Sequence, residues 1–237
     1  MTTTLPAAVL FDMDGTLIDS EGLWLDAEIA VMASLGATWQ ERDQEHCLGG
    51  PLERVADYMI ERSGADATPE AVGLMLLDAM EQRLREAPLS WRPGARALLV
   101  ECRSVGVPTA LVSASWNRLI DAVNEKITAD IGGVAFDAIV AGDDVENSKP
   151  HPDPYLTAAA ALGAAPRDCL ALEDSPTGVR SAADAGCRVV AIPHIAPIDH
   201  PGVAVVDSLA GRDLTGLWQA AGSPGGCTSG EAAPDGP

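Results

Sequence analysis

The sequence predicts an α/β fold: a parallel sheet with helices on both faces, interrupted after its first strand by a helical insertion. Three observations carry this. From Pro93 onward, short apolar runs alternate with amphipathic segments of helical period, the pattern of strand–helix repeats building a parallel sheet. One further apolar run, "AAVLF" at 7–11, stands far upstream of the others. Between the two regions, residues 20–87 show helical periodicity and no strand signal.

In chain order, "AAVLF" is the first strand. "SEGLWLDAEIAVMASLG" opens at Ser20 as a cap, places Leu23, Ala27, Ala30 and Val31 at helical spacing and closes at Gly36. A second helix starts at Pro51, turns Leu52, Val55, Ala56 and Met59 to one face and stops at Gly64. A third is capped by Thr68, with Pro69 at its first position. Beyond Pro93, strands are predicted at 107–113, 136–142, 168–174, 187–193 and 203–208, with helices between them and a short last helix ending near Ala220. The domains expected are an α/β core from 1–19 and 88–220, a helical module over 20–87, and a disordered Gly/Pro/Ser-rich tail at 221–237.

Composition narrows the function classes. The net charge of −20 speaks against broad contact with nucleic acid or anionic membranes. No run approaches the roughly 20 apolar residues of a membrane span, and the N-terminus does not read as a secretory signal. The five cysteines are odd in number, widely spaced and never in a C-x-x-C pair, so they read as small buried hydrophobes in a reducing compartment. A cytoplasmic protein is expected, with a monomer as the default state.

Ligands of a parallel sheet bind beyond the carboxyl ends of its strands. Those ends carry Asp12 and Asp14, then Ser113, then Asp143, Asp144 and Lys149, then Glu173 and Asp174. Each also has a plain structural reading. Asp12 and Asp14 suit a turn, and Ser113 or Glu173-Asp174 suit helix caps. Asp12 and Asp14 are not the start of a calcium loop, because no Glu stands twelve positions on. Lys149 is more specific: it is one of only two lysines, the other being Lys126 on a solvated helix face, and it lies among Pro150, Pro152 and Pro154. A compact ammonium in a rigid loop suits the neutralisation of crowded anions. Together, Asp12, Asp14 and Asp174 form a cluster of hard oxygen ligands suited to Mg²⁺. Lys149 and Ser113 complete a site for phosphoryl transfer.

The ordered set "DMDGT", "LVSAS", Lys149 before "PHPDPY", and "EDSPTG" resembles the haloacid dehalogenase-like (HAD) hydrolase superfamily, in its β-phosphoglucomutase-like and sugar-phosphate phosphatase branch. The resemblance implies a Rossmann-like parallel sheet core with a small α-helical cap inserted after the first strand. It implies Asp12 as nucleophile and Asp14 as general acid/base, with Ser113, the Ala114 backbone and Lys149 holding the phosphoryl group. Asp12, the Asp14 carbonyl, Glu173 and Asp174 would hold Mg²⁺, and Trp24, Gly49, Gly50 and Asn117 are the candidates for substrate contacts. Asp14 disfavours dehalogenation, and the absence of any lysine before Lys126 removes the Schiff-base branch. The mutases carry a histidine and an arginine where this chain has Trp24 and about Glu53. "DSEGLW" resembles the hexose- and hexitol-phosphate phosphatases, with Gly22 where proline is usual. The expected activity is therefore an Mg²⁺-dependent phosphatase of small phosphorylated metabolites working through an aspartyl-phosphate. The alternatives are a β-phosphoglucomutase-type isomerase and, more remotely, an inactive binding protein.

Overall fold

Ala8–Phe11 (β1) is buried at all four positions. In the computed structural model, which describes residues 5–47 and 52–222, four helices follow it: Glu21–Ser34 (α1), Glu41–Cys47 (α2), Leu52–Ser63 (α3) and Pro69–Glu86 (α4). Then come Ala95–Ser104 (α5), Thr109–Val112 (β2), Asn117–Ile131 (α6), Ala138–Val140 (β3) and Asp153–Ala161 (α7). Cys169–Glu173 (β4), Pro176–Asp184 (α8), Arg188–Ala191 (β5), Ala204–Val205 (β6) and Leu214–Ala221 (α9) complete the order. The predicted disordered tail lies outside the described residues, except that Ala221 ends α9 and Gly222 caps it. No helix among the described residues is long and apolar enough to cross a membrane.

The chain divides into two units. One holds the described residues of Met1–Asp19, Trp91–Asn117 and Thr128–Pro237, and the other holds those of Ser20–Ser90 with Arg118–Ile127.

The first unit holds the parallel sheet. Its six strands run in the order β3-β2-β1-β4-β5-β6, and every pair is parallel. The order reverses between β1 and β4, so a crevice opens where their carboxyl ends part. Ala8 and Leu10 of β1 share one core with Ala110, Val112, Ala171, and the Ala158, Ala159 and Ala182 of α7 and α8. These small helix faces let the helices approach the sheet closely, which is how a chain with 4% aromatics closes its core. Val9 and Phe11 point to the opposite face by the strand period of two. The two chain crossings out of this unit run side by side, with Ile18 bridged to Trp91 and the Arg92 N–H donating to the Leu17 carbonyl at 2.8 Å.

The second unit is helical throughout, built on Val31, Met32, Cys47, Val55, Ala56, Met59, Val72 and Leu76. Thr68 caps α4 as predicted, accepting from Ala71 N at 3.3 Å. Residues 118–127 of α6 also group here. Arg118 pairs with Asp78 and Glu81 of α4 at 2.7 and 2.5 Å. Lys126, expected on a solvated face, instead donates to the Ala87 carbonyl at the end of α4, where a cation satisfies the orphan carbonyls of a helix terminus. Cys47, Cys102 and Cys169 are buried as expected, and Cys187 is half-buried.

In α1 the buried face differs from the prediction by a partial turn. Ala30 is exposed, and Glu28 is buried beside Ala27, Val31 and Met32. A small apolar side chain at Ala30 gives up little on exposure, whereas the larger Met32 fills the core and rotates Glu28 inward. Burial, and then the charge of Glu21, push the Glu28 carboxyl up to about 7. A raised folded-state pKa means that the native state holds its proton where the unfolded state has lost it. Stability therefore falls as pH climbs from about 4.5 through about 7. Glu28→Gln should raise thermal stability above pH 7 by on the order of 2 kcal/mol, and by almost nothing below pH 4. A difference between the two proteins that stays flat across this range would contradict the burial of a charge at Glu28.

Candidate active site

Asp12 is the first residue past β1, and its N–H donates to the Leu172 carbonyl at 3.1 Å. This bond carries the β1–β4 pairing one step further and sets Asp12 beside Glu173 and Asp174 at the end of β4. The Ser113 N–H donates to the Val140 carbonyl at 3.0 Å in the same way at the end of β2. The crevice that topology dictates is thus lined by side chains from three strand ends, with a fourth arriving from the loop after β3.

That fourth is Lys149, whose side chain is 5% exposed. Its ammonium donates to Asp12 Oδ1 at 2.7 Å, Glu173 Oε1 at 2.6 Å and the Val112 carbonyl at 2.9 Å. All three donors are taken. Burial alone would pull the ammonium's pKa down, but Asp12 and then Glu173 outweigh it, and the net direction is up. Lys149 therefore stays charged.

The carboxylates face the opposite problem. Asp12, Glu173 and Asp174 bring ligand oxygens within 4.8 Å of one another, and a single ammonium leaves two of their three charges unbalanced. Burial, then Asp12, pushes Glu173 up to about 7 against the pull of Lys149 and Tyr155. Burial, then Asp12 and Glu173, pushes Asp174 up to about 9, again against Lys149. Asp12 Oδ2 is buried and has no hydrogen-bond partner. An all-oxygen donor set with excess negative charge fits a hard divalent cation.

Two glycines make this crowding possible. At Gly15 φ is +83°, and a Cβ there would collide with Asp174 Oδ2. A Cβ at Gly178, in the first turn of α8, would collide with the Glu173 carboxylate. Either position with a side chain would displace an acid from the cluster.

Among the remaining sequence candidates, Asp14 turns one oxygen to Ser115, whose hydroxyl donates to Asp14 Oδ2 at 2.8 Å. Ser113 is 1% exposed, with Oγ accepting from Ser115 N at 3.0 Å. Ala114 is exposed beside it, and its carbonyl lies so close to Gly142 that a Cβ there would strike it. The Asn117 amide is committed to Asp143 Oδ1 at 3.2 Å and Asp144 Oδ1 at 2.7 Å. Trp24 lies in α1 of the helical unit, half-buried. Gly49 and Gly50 lie outside the described residues.

Sequence reasoning missed three residues. Ser115 was read only as part of a strand end. Tyr155 is fully buried, and its hydroxyl donates to Glu173 Oε1 at 2.5 Å, the same oxygen that Lys149 uses. A signal for it existed, since Tyr155 interrupts an Ala-rich helix in a chain with two tyrosines and a buried phenol requires a polar partner. His194, in the loop after β5, borders Asp174 across Gly15; nothing in its local sequence pointed there.

Comparison with known proteins agrees with this geometry. A family model described as haloacid dehalogenase-like hydrolase matches residues 9–192. Hexitol phosphatase B of Escherichia coli (strain K12) is 34% identical over 219 residues, covering 88% of this chain and 96% of the relative. Fructose-1-phosphate phosphatase YqaB of the same strain is 33% identical over 194 residues, covering 78% of this chain and 95% of the relative. The crystal structure of CbbY from Rhodobacter sphaeroides in complex with phosphate superposes with a TM-score of 0.76 at 26% identity, covering 90% of this chain and 99% of that one.

Because Lys149 is bonded to both Asp12 and Glu173 inside the cluster, Lys149→Met should leave them uncompensated. The expected loss is on the order of 3–5 kcal/mol in chemical unfolding near pH 8. It should shrink toward pH 5 as the Glu173 carboxyl, pushed up to about 7, takes up its proton. A loss below about 1 kcal/mol at pH 8, the size typical of an exposed pair, would contradict the buried ion pair.

Proposed function

The chain belongs to the haloacid dehalogenase-like hydrolase family, and from that premise we propose that it hydrolyses small phosphomonoesters of the sugar- or polyol-phosphate class, with Asp12 as the nucleophile. The carrying observation is the division of labour within one carboxylate. Oδ1 of Asp12 is held by Lys149, and Oδ2 is buried without a partner. An oxygen fixed in place, charged and not spent on a hydrogen bond is what attack on phosphorus requires. The substrate class follows the names of the relatives, which act on hexitol phosphates and fructose 1-phosphate.

In this reading Asp12 Oδ2 attacks phosphorus, the bond to the leaving oxygen breaks, and Asp14 gives that oxygen its proton. Asp14 then takes a proton from water as the water oxygen attacks the phosphorus of the aspartyl-phosphate, releasing inorganic phosphate and returning Asp12 to its carboxylate and Asp14 to its protonated form. The Ser115 hydroxyl orients Asp14 throughout. Ser113 and the Ala114 backbone hold phosphoryl oxygens, and Lys149 contributes by fixing and balancing Asp12. Asp12, Asp174 and the Asp14 carbonyl would hold Mg²⁺, with Glu173, whose Oε1 already serves Lys149 and Tyr155, acting on it indirectly. When bound, Mg²⁺ supplies positive charge against the carboxylate and phosphoryl oxygens. Selection of the leaving group we assign to the helical unit, with Trp24 as its reading element.

Phosphate release from a panel of hexose, hexitol and nucleotide phosphates should be strongest on one sugar or polyol phosphate and should stop with EDTA. Asp12→Asn should abolish it with the fold intact by circular dichroism, and Asp14→Asn should slow it by about 10²–10⁴-fold. Wild-type turnover in Asp12→Asn, or isomerisation of β-glucose 1-phosphate without phosphate release, would contradict the assignment.

A further inference from the structure

His194 carries an unassigned polar atom at the edge of the acid cluster. It lies two residues beyond the Ile192 N–H, which donates to the Glu173 carbonyl at 2.7 Å. That bond extends the β4–β5 pairing and delivers the next residues of the chain to the rim. The Nδ1 of His194 is buried and has no hydrogen-bond partner. A buried imidazole nitrogen left unpaired is costly to desolvate, so its hydrogen-bonding position calls for an occupant.

The surroundings say which occupant. The spot that a Gly15 Cβ would fill is 3.1 Å from His194 Nδ1 and borders Asp174 Oδ2 even more closely. The two polar atoms therefore border the same spot beside Gly15, and Nδ1 makes no hydrogen bond there. Burial holds the imidazole below its usual range, with Arg92 adding to the effect and Asp19 opposing it. A neutral ring offers one donor and one acceptor nitrogen. Groups placed behind a ligating carboxylate in this way orient it and tune the metal it holds.

We propose that His194 is a positioning residue of the cation site, its Nδ1–H donating directly to Asp174 Oδ2 when that carboxylate holds the cation. The inference rests on the reading of Asp12 and Asp174 as ligands of Mg²⁺. It assigns to the loop after β5 a part in the site that none of the four sequence motifs contains. His194 touches neither phosphorus nor the leaving group; it acts through Asp174.

The test is Mg²⁺ binding to the full chain by calorimetry, together with ¹⁵N shifts of the histidine rings during an MgCl₂ titration. Asp174→Asn should abolish binding. His194→Ala should weaken it about tenfold, and His194→Asn, whose amide reaches the place of Nδ1, should restore it to within about threefold of wild type. The Nδ1 resonance of His194 should move with Mg²⁺, while those of exposed His46 and His151 stay still. If His194→Ala binds Mg²⁺ as the wild type does and its ring resonance is silent, the proposal is overturned while the cation site stands. If Asp174→Asn also binds as the wild type does, the cation reading itself has failed.

Discussion

The arrangement of the α/β unit turns on one buried ammonium. Lys149 spends every donor it has on Asp12, Glu173 and the end of β2, and so ties the loop after β3 to β1, β2 and β4 at their carboxyl ends. Isolated carboxylates in a protein interior lose their charge. With Lys149 among them, Asp12 keeps a fixed oxygen and an open one, and only the remaining excess is left for a cation to balance. The neighbouring features serve this constraint. Gly15 and Gly178 leave room for Asp174 and Glu173, and the Tyr155 hydroxyl holds the oxygen that Lys149 shares.

The parts of the fold that were legible in the sequence are those set by local pattern. Buried parallel strands read as continuous apolar runs, so all six were found, although β6 shortens to two residues. Helix caps at Thr68 and stops at Gly36 and Gly64 are local chemistry and held. The face of α1 was misjudged because Ala30 and Glu28 differ by little more than half a turn, and only the packing of the helical unit's core, with Met32 in it, decides between them. Lys126 was misread because its partner, the Ala87 carbonyl, is 39 residues away. The same limit hid Ser115 and His194, whose importance arises from atoms that the fold brings to them.

The site shows the same division. Asp12, Asp14, Lys149, Glu173 and Asp174 follow strands in a fixed order along the chain, and the fold brings Asp12, Lys149, Glu173 and Asp174 together at one crevice. What the sequence did not contain is how the hydrogen bonds are shared. Asn117, a candidate for substrate contact, spends its amide on Asp143 and Asp144. Lys149, expected on the phosphoryl group, is fully occupied by protein acceptors. Family membership supplies the reaction class, and this allocation of donors and acceptors gives each residue its part within it.

With Asp12 as nucleophile, its side chain becomes covalently phosphorylated during turnover, and borohydride quenching in the presence of a hexitol phosphate traps that intermediate. Reduction of an acyl phosphate converts the aspartate to homoserine, and peptide mass analysis locates the change. Homoserine is expected at position 12 in the wild-type chain and nowhere else. Continued phosphate release with no reduced aspartate at position 12 would mean that water displaces the leaving group directly and that Asp12 is not the nucleophile.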